Sequence, residues 1–219
     1  MFALLPAICA AQGIFDGTLK TEVSSIDFPA KPSVYVFKGG MYECKTCATP
    51  VRVKADGKDQ KIEGNPYADT RSAKIIDATN VEMISKKSGK IVARNKYAIS
   101  TDKNSMLREY VNHSAANSEI VKGFTRYARM AYDKTGTNQI SGSWQAIKAD
   151  KLSDNGPLVT YKSEGATMSM STPTGESYTA KTDGVDAPSN GDPTPPPSRS
   201  RPVKIHWKRH SNAMARPSA

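Results

Sequence analysis

Short runs in which apolar and polar side chains alternate recur along most of this chain, and each one ends in a turn signal rather than extending to helical length. Alternation of period two places successive side chains on opposite faces of an extended strand. Val34 and Val36 alternate with Tyr35 and Phe37, and Gly39-Gly40 then turns the chain into Met41-Tyr42-Glu43-Cys44. Val51 and Val53 alternate with Arg52 and Lys54 before Asp56-Gly57, and Ala73–Ile76 and Val81–Ile84 flank Asp77-Ala78-Thr79-Asn80. Lys87-Ser88-Gly89-Lys90 leads into Ile91, Val92, Tyr97 and Ile99, and Thr101-Asp102-Lys103-Asn104 precedes Met106, Arg108 and Tyr110. Strands at intervals of about 8 to 12 residues predict an all-β fold, an antiparallel meander closing on itself.

Glu119–Asp133 fits two patterns. Ile120, Phe124, Tyr127 and Met130 recur at helical steps, while Tyr127 and Arg129 alternate with Ala128, Met130 and Tyr132. Gly123 weakens a helix interior and Lys134-Thr135-Gly136 closes the run, so a long strand is the expected form.

Self-similarity sets the expected domain plan. Lys54-Ala55-Asp56-Gly57-Lys58-Asp59 returns as Lys181-Thr182-Asp183-Gly184-Val185-Asp186, and Gly64-Asn65-Pro66 as Gly191-Asp192-Pro193. Gly17-Thr18-Leu19-Lys20 has its echo in Gly142-Ser143-Trp144-Gln145. These matches predict a first barrel-like repeat over 13–138 and a truncated second repeat over 139–193. The remaining 194–219 carries Pro195, Pro196, Pro197 and Pro202, which cannot pair as a central strand, and reads as a disordered basic tail or an out-of-frame product.

That tail explains most of the charge. The chain of 219 residues has a formal charge of +10, but six of its 31 basic residues and none of its acidic ones lie in 194–219. Without it, 25 basic residues face 21 acidic ones, so a specific nucleic-acid partner is not expected. No apolar run approaches the roughly 20 residues of a membrane-spanning helix. Residues 1–12, Met-Phe-Ala-Leu-Leu-Pro-Ala-Ile-Cys-Ala-Ala-Gln, read as the remnant of a signal peptide, which points to export to the periplasm or medium.

Tyr42-Glu43-Cys44-Lys45-Thr46-Cys47, Val53-Lys54-Ala55-Asp56-Gly57, Ile140-Ser141-Gly142-Ser143-Trp144, Ser153-Asp154-Asn155-Gly156 and 173–181 resemble an uncharacterised family of secreted bacterial proteins with tandem β-rich repeats. The resemblance implies architecture and location, and no activity. Gly142-Ser143-Trp144 is also similar to the Gly-x-Trp signature of lipocalin-like barrels, which implies a lipocalin-like barrel whose Trp plugs the closed end; Leu19 replaces that Trp in the first copy.

Cys44-Lys45-Thr46-Cys47 is the sharpest chemical motif, and it reads as a structural disulfide, with a redox or metal role as the alternative. Zinc would need a second pair of ligands, and His113 is the single histidine before the tail, so no metal and no cofactor are expected. Asp56, Asp59, Glu63, Asp183 and Asp186 read as turn residues rather than calcium ligands, because Asp-Gly is a hairpin signal. Lys86, Lys87 and Lys90 read as a solvated hairpin tip. No Gly-x-Ser-x-Gly elbow, phosphate loop or His-Glu-x-x-His pair is present. The chain therefore reads as a non-enzymatic binding module for a small apolar or acidic ligand, with Val34, Val36, Ile75, Val81, Met83 and Tyr97 as the expected pocket lining. The alternatives are a structural or stress-related envelope protein acting through protein contacts, and a thiol-disulfide protein using Cys44 and Cys47. The oligomeric state is left open.

Overall fold

The computed structural model describes residues 16–47, 49–65, 67–113, 120–185, 187 and 189–190. The expected signal remnant at 1–12 and tail at 194–219 lie outside the described residues. Within them the chain is all-β, and no helix is long and apolar enough to cross a membrane. The strands are β1 (Gly17–Lys20), β2 (Ser33–Lys38), β3 (Met41–Cys44), β4 (Val51–Lys54), β5 (Gln60–Lys61), β6 (Thr70–Ile75), β7 (Asn80–Lys87) and β8 (Lys90–Ile99). They continue with β9 (Ser105–Asn112), β10 (Val121–Tyr132), β11 (Gly142–Leu152), β12 (Leu158–Glu164), β13 (Thr167–Ser171), β14 (Ser177–Lys181) and β15 (Ser189–Asn190). The segment that fitted both patterns is strand β10.

Ten strands form one antiparallel sheet in the order β4-β3-β2-β11-β10-β9-β8-β7-β6-β5. The sheet curls until its ends approach. Just past β4, Asp56 bridges Lys74 of β6, and the Gly57 amide donates to the Ala73 carbonyl at 2.8 Å. The result is a nearly closed barrel. Its tight corners follow from glycine: Gly39 and Gly40 both adopt positive φ, which matches the right-handed twist of β2 and β3.

Register shows which residues face inward, because paired residues share a face. Arg71 pairs with Ser85, Ala73 with Met83 and Ile75 with Val81. Across the next ladders Val81 meets Tyr97, Tyr97 meets Arg108 and Arg108 meets Thr125. Tyr35, Phe37, Tyr42, Cys44, Val53, Val81, Met106, Ile140 and Trp144 are buried together with this set in one core. Full burial of each large apolar member contributes about 1.5–3 kcal/mol.

Two sequence expectations shift. On β2 the buried residues are Tyr35 and Phe37, whereas Val34 and Val36 are only partly buried. The aromatic rings, not the valines, fill the interior, so the inward set of β2 moves by one residue. The expected boundary at 138/139 also falls inside the barrel. β11 runs antiparallel along the length of β10, and its first residues pair with β2, Gly142 with Tyr35 and Trp144 with Ser33. Ile140 and Trp144, both fully inaccessible, belong to the same core as Phe37.

The second sheet has the order β1-β12-β13-β14-β15. Its geometry parallels that of β11-β2-β3-β4. Gly17, at φ +136°, sits opposite Tyr161, as Gly142, at φ +145°, sits opposite Tyr35. Thr182 donates its amide to Ala166 at 2.8 Å, as Ala55 does to Gly40 at 2.8 Å. The Asp183 carboxylate accepts the Val185 amide at 3.0 Å, as Asp56 accepts that of Lys58 at 2.9 Å. One face of this sheet is apolar: Leu19 pairs with Val159, Tyr161 with Met170, and Met168 with Ala180. The other face is polar, with Thr18 hydrogen-bonded to Thr160 and Ser169 to Thr179.

Candidate functional site

Side chains do not fill the whole barrel interior. A cavity of about 320 Å³ opens between β2, β3, β6, β7, β8, β9 and β10, and a second of about 320 Å³ adjoins it. Asn65, Arg71, Ser85, Asn95 and Arg108 line both. Five residues common to two cavities make them compartments of one interior space.

The walls are polar and aromatic. Tyr35, Tyr42, Tyr97 and Tyr127 surround the first compartment, with Tyr35 edge-on to Tyr97 at 5.6 Å between ring centroids. Burial pushes the hydroxyls of Tyr35, Tyr42 and Tyr97 above the usual tyrosine range. They therefore stay neutral, able to donate or accept a hydrogen bond.

The charges in this space are guanidinium groups. Arg108 Nη1 donates to the Tyr127 hydroxyl at 3.2 Å, and its guanidinium lies 5.1 Å from the Tyr110 ring centroid. Arg71 Nε donates to Ser85 Oγ at 3.3 Å. Burial works against the Arg108 charge, and the Tyr127 hydroxyl that accepts its hydrogen bond favours it. An arginine in any case remains charged across the ordinary pH range. Arg108 Nε is fully buried and has no hydrogen-bond partner. Among the described residues, no Asp or Glu lines either compartment.

Tyr110 keeps its place through a glycine. A Cβ at Gly123 would come within 2.6 Å of the Tyr110 ring, so the smallest residue on β10 stands where the ring crosses it. This, rather than a helix break, is what Gly123 does.

Of the expected lining, Met83 and Tyr97 border the first compartment. Val81 is buried in the core and Ile75 packs against it, but neither borders the two compartments, and neither do Val34 and Val36. The arginines and most of the tyrosines were not singled out by sequence. Counting every second residue on β6 and β9 from the apolar ones, Ala73 and Met106, would have placed Arg71 and Arg108 inside.

The cysteine motif and Trp144, also selected by sequence, are structural parts of the barrel. The sulfurs of Cys44 and Cys47 are 2.09 Å apart, a disulfide between residues three apart in sequence, and Cys47 reaches the cavity wall. Trp144 is fully buried, its Nε1 donates to the Ile140 carbonyl at 2.8 Å, and the Arg129 guanidinium stacks over its ring at 4.0 Å. Arg129 also donates to the carbonyls of Lys103, Gln139 and Ser141, tying the β8–β9 turn and the β10–β11 connection to the barrel. Arg126 points outward to Asp150 at 2.7 Å. Among the described residues no cluster of three or more His, Cys, Asp or Glu side chains forms a metal site.

No protein-family model matches this chain, and neither a curated protein nor a solved structure matches it significantly.

Proposed function

We propose that this protein is an exported β-barrel that binds a small ligand in its interior. The observation that carries the reading is the two-compartment space bordered by Arg71, Arg108 and four tyrosines, since about eight strands already enclose room for one small ligand and this sheet has ten. A concave space with a few convergent polar groups is the usual form of a small-molecule site, and this one is open to solvent on one side. Export is supported by the Cys44–Cys47 disulfide, a bond that persists in oxidising compartments. Cys44 has no accessible surface, which favours a staple over an exchanging thiol. Native mass spectrometry of the protein purified without denaturant tests the reading: a stoichiometric small molecule, lost on unfolding, is expected. Purified protein that carries none and binds nothing from a small-molecule library would refute it.

The matching hydrogen bonds and glycine conformations support an internal duplication in which β1-β12-β13-β14 is built as β11-β2-β3-β4 is. In this reading β1 serves the second sheet as β11 serves the barrel. The second reading, an envelope protein working through protein contacts, rests on the second sheet: its face of Leu19, Val159, Tyr161, Met168 and Met170 is apolar yet not deeply buried, with Leu19 47% exposed.

A further inference from the structure

We infer that the interior space takes a small carboxylic acid, its carboxylate held by Arg71 and Arg108 and its apolar body set against Tyr35, Tyr97 and Met83; this rests on the ligand-binding reading above. Three observations support it.

The first is placement. Pairing turns Arg71 inward opposite Ser85, and Arg108 inward between Tyr97 and Thr125, so both guanidiniums are delivered to the cavity by strand register rather than by a movable loop. The second is the partner deficit. The ion pairs recorded among the described residues, such as Arg94 with Glu82 and Arg126 with Asp150, involve other arginines, and among the described residues no carboxylate borders the compartments. A guanidinium drawn out of water normally has a paired anion; Arg108 is partly buried, bonds only a neutral hydroxyl through Nη1, and its Nε has no hydrogen-bond partner. The third is shape. Guanidinium presents a planar fork of donors that fits a carboxylate two-pronged, and the neutral tyrosine hydroxyls supply further donors to the same oxygens. A compartment of about 320 Å³ is at the small end of ligand sites, which fits a one-ring or short-chain acid.

The test uses the full chain with three probes of known structure: benzoate, the uncharged benzyl alcohol, and inorganic phosphate, each titrated by isothermal calorimetry. Benzoate is expected to bind saturably and at least roughly tenfold more tightly than benzyl alcohol, the ratio one charge-assisted hydrogen bond supplies. Arg108→Met is expected to erase that ratio while leaving benzyl alcohol binding in place, and Arg126→Met, on the outer surface, is expected to change neither. If Arg108→Met does not fold, Arg108→Lys, which keeps the charge but not the fork, is expected to weaken benzoate selectively. Benzyl alcohol binding as tightly as benzoate would overturn the acid assignment and leave the ligand-binding reading standing. Phosphate binding with no benzoate binding would also overturn the acid assignment. Failure of all three probes, with no co-purifying molecule, would overturn both.

Discussion

Replacing Arg108 by Met should make the free protein more stable while disabling its proposed site. The guanidinium keeps one hydrogen bond, 3.2 Å to Tyr127, and one ring contact, 5.1 Å to Tyr110. Those are worth about 1.5–3 and about 0.5–1 kcal/mol respectively. Against them stands an effective desolvation penalty of several kcal/mol for a buried ion lacking a counter-charge. Methionine has similar length and can fill the same irregular volume. The side chain is only partly buried, with one end toward the cavity, so the gain sits at the low end: about 1 kcal/mol. That corresponds to roughly 2–4 °C in Tm for a chain of this size. Urea denaturation of both proteins at neutral pH, followed by far-ultraviolet circular dichroism with the m-values compared, measures it. A loss exceeding about 1 kcal/mol at unchanged m would show that Arg108 is a structural tie and would refute the reasoning.

Trp144→Ala should destabilise the barrel by about 3–5 kcal/mol, read by the same denaturation assay, because it removes a fully buried ring that also carries the Arg129 guanidinium. Reduction of Cys44–Cys47 should lower stability by roughly 2 kcal/mol, the chain-entropy value for so short a loop, visible as a lower urea midpoint in reductant at constant pH. The carboxyls of Asp77, Asp102 and Asp133 are held below the usual aspartate range by hydrogen bonds from their own turns, to Thr79 and Asn80, to Ser100 and Asn104, and to Thr135. Their stabilisation is fully present above the unfolded value of about 3.9 and is lost as pH falls through the lower folded values, so midpoints measured below about pH 4 should fall, and less steeply in Asp77→Asn. Gly142→Ala should unfold or severely weaken the barrel, since its Cβ would come within 2.4 Å of the Ala131 carbonyl oxygen at φ +145°. Gly17→Ala meets only the strained φ, with no atom within 4 Å, and should be milder in the same assay.

Strand content and turn positions were readable from sequence because alternation and Asx-Gly or Gly-Gly turns are local signals. The long strand β10 was readable for the same reason, since Gly123 and the closing turn outweighed a mixed helical pattern. Which face of β2 points inward was not. Val34-Tyr35-Val36-Phe37 is apolar at every position, so alternation carries no sign there, and cavity shape decides in favour of the rings. The cavity arginines were hidden by the rule that charged residues face water; only the pairing partners of Arg71 and Arg108 show otherwise. The placement of β11 was missed because a repeat boundary in sequence need not be a boundary in space. Gly142-Ser143-Trp144, expected to open a second unit, pairs with β2 and completes the barrel.

The pairing of β1 with β12 has a kinetic consequence. Thr18 and Thr160, bonded at 2.8 Å, are 142 residues apart, so β1 cannot meet its partner β12 until the strands between them have been synthesised. The barrel strands from β2 to β11 lie wholly between them and can join their neighbours first. The first strand must therefore wait for β12, which takes β1 on one edge and β13 on the other, so the second sheet assembles only after the barrel strands have emerged.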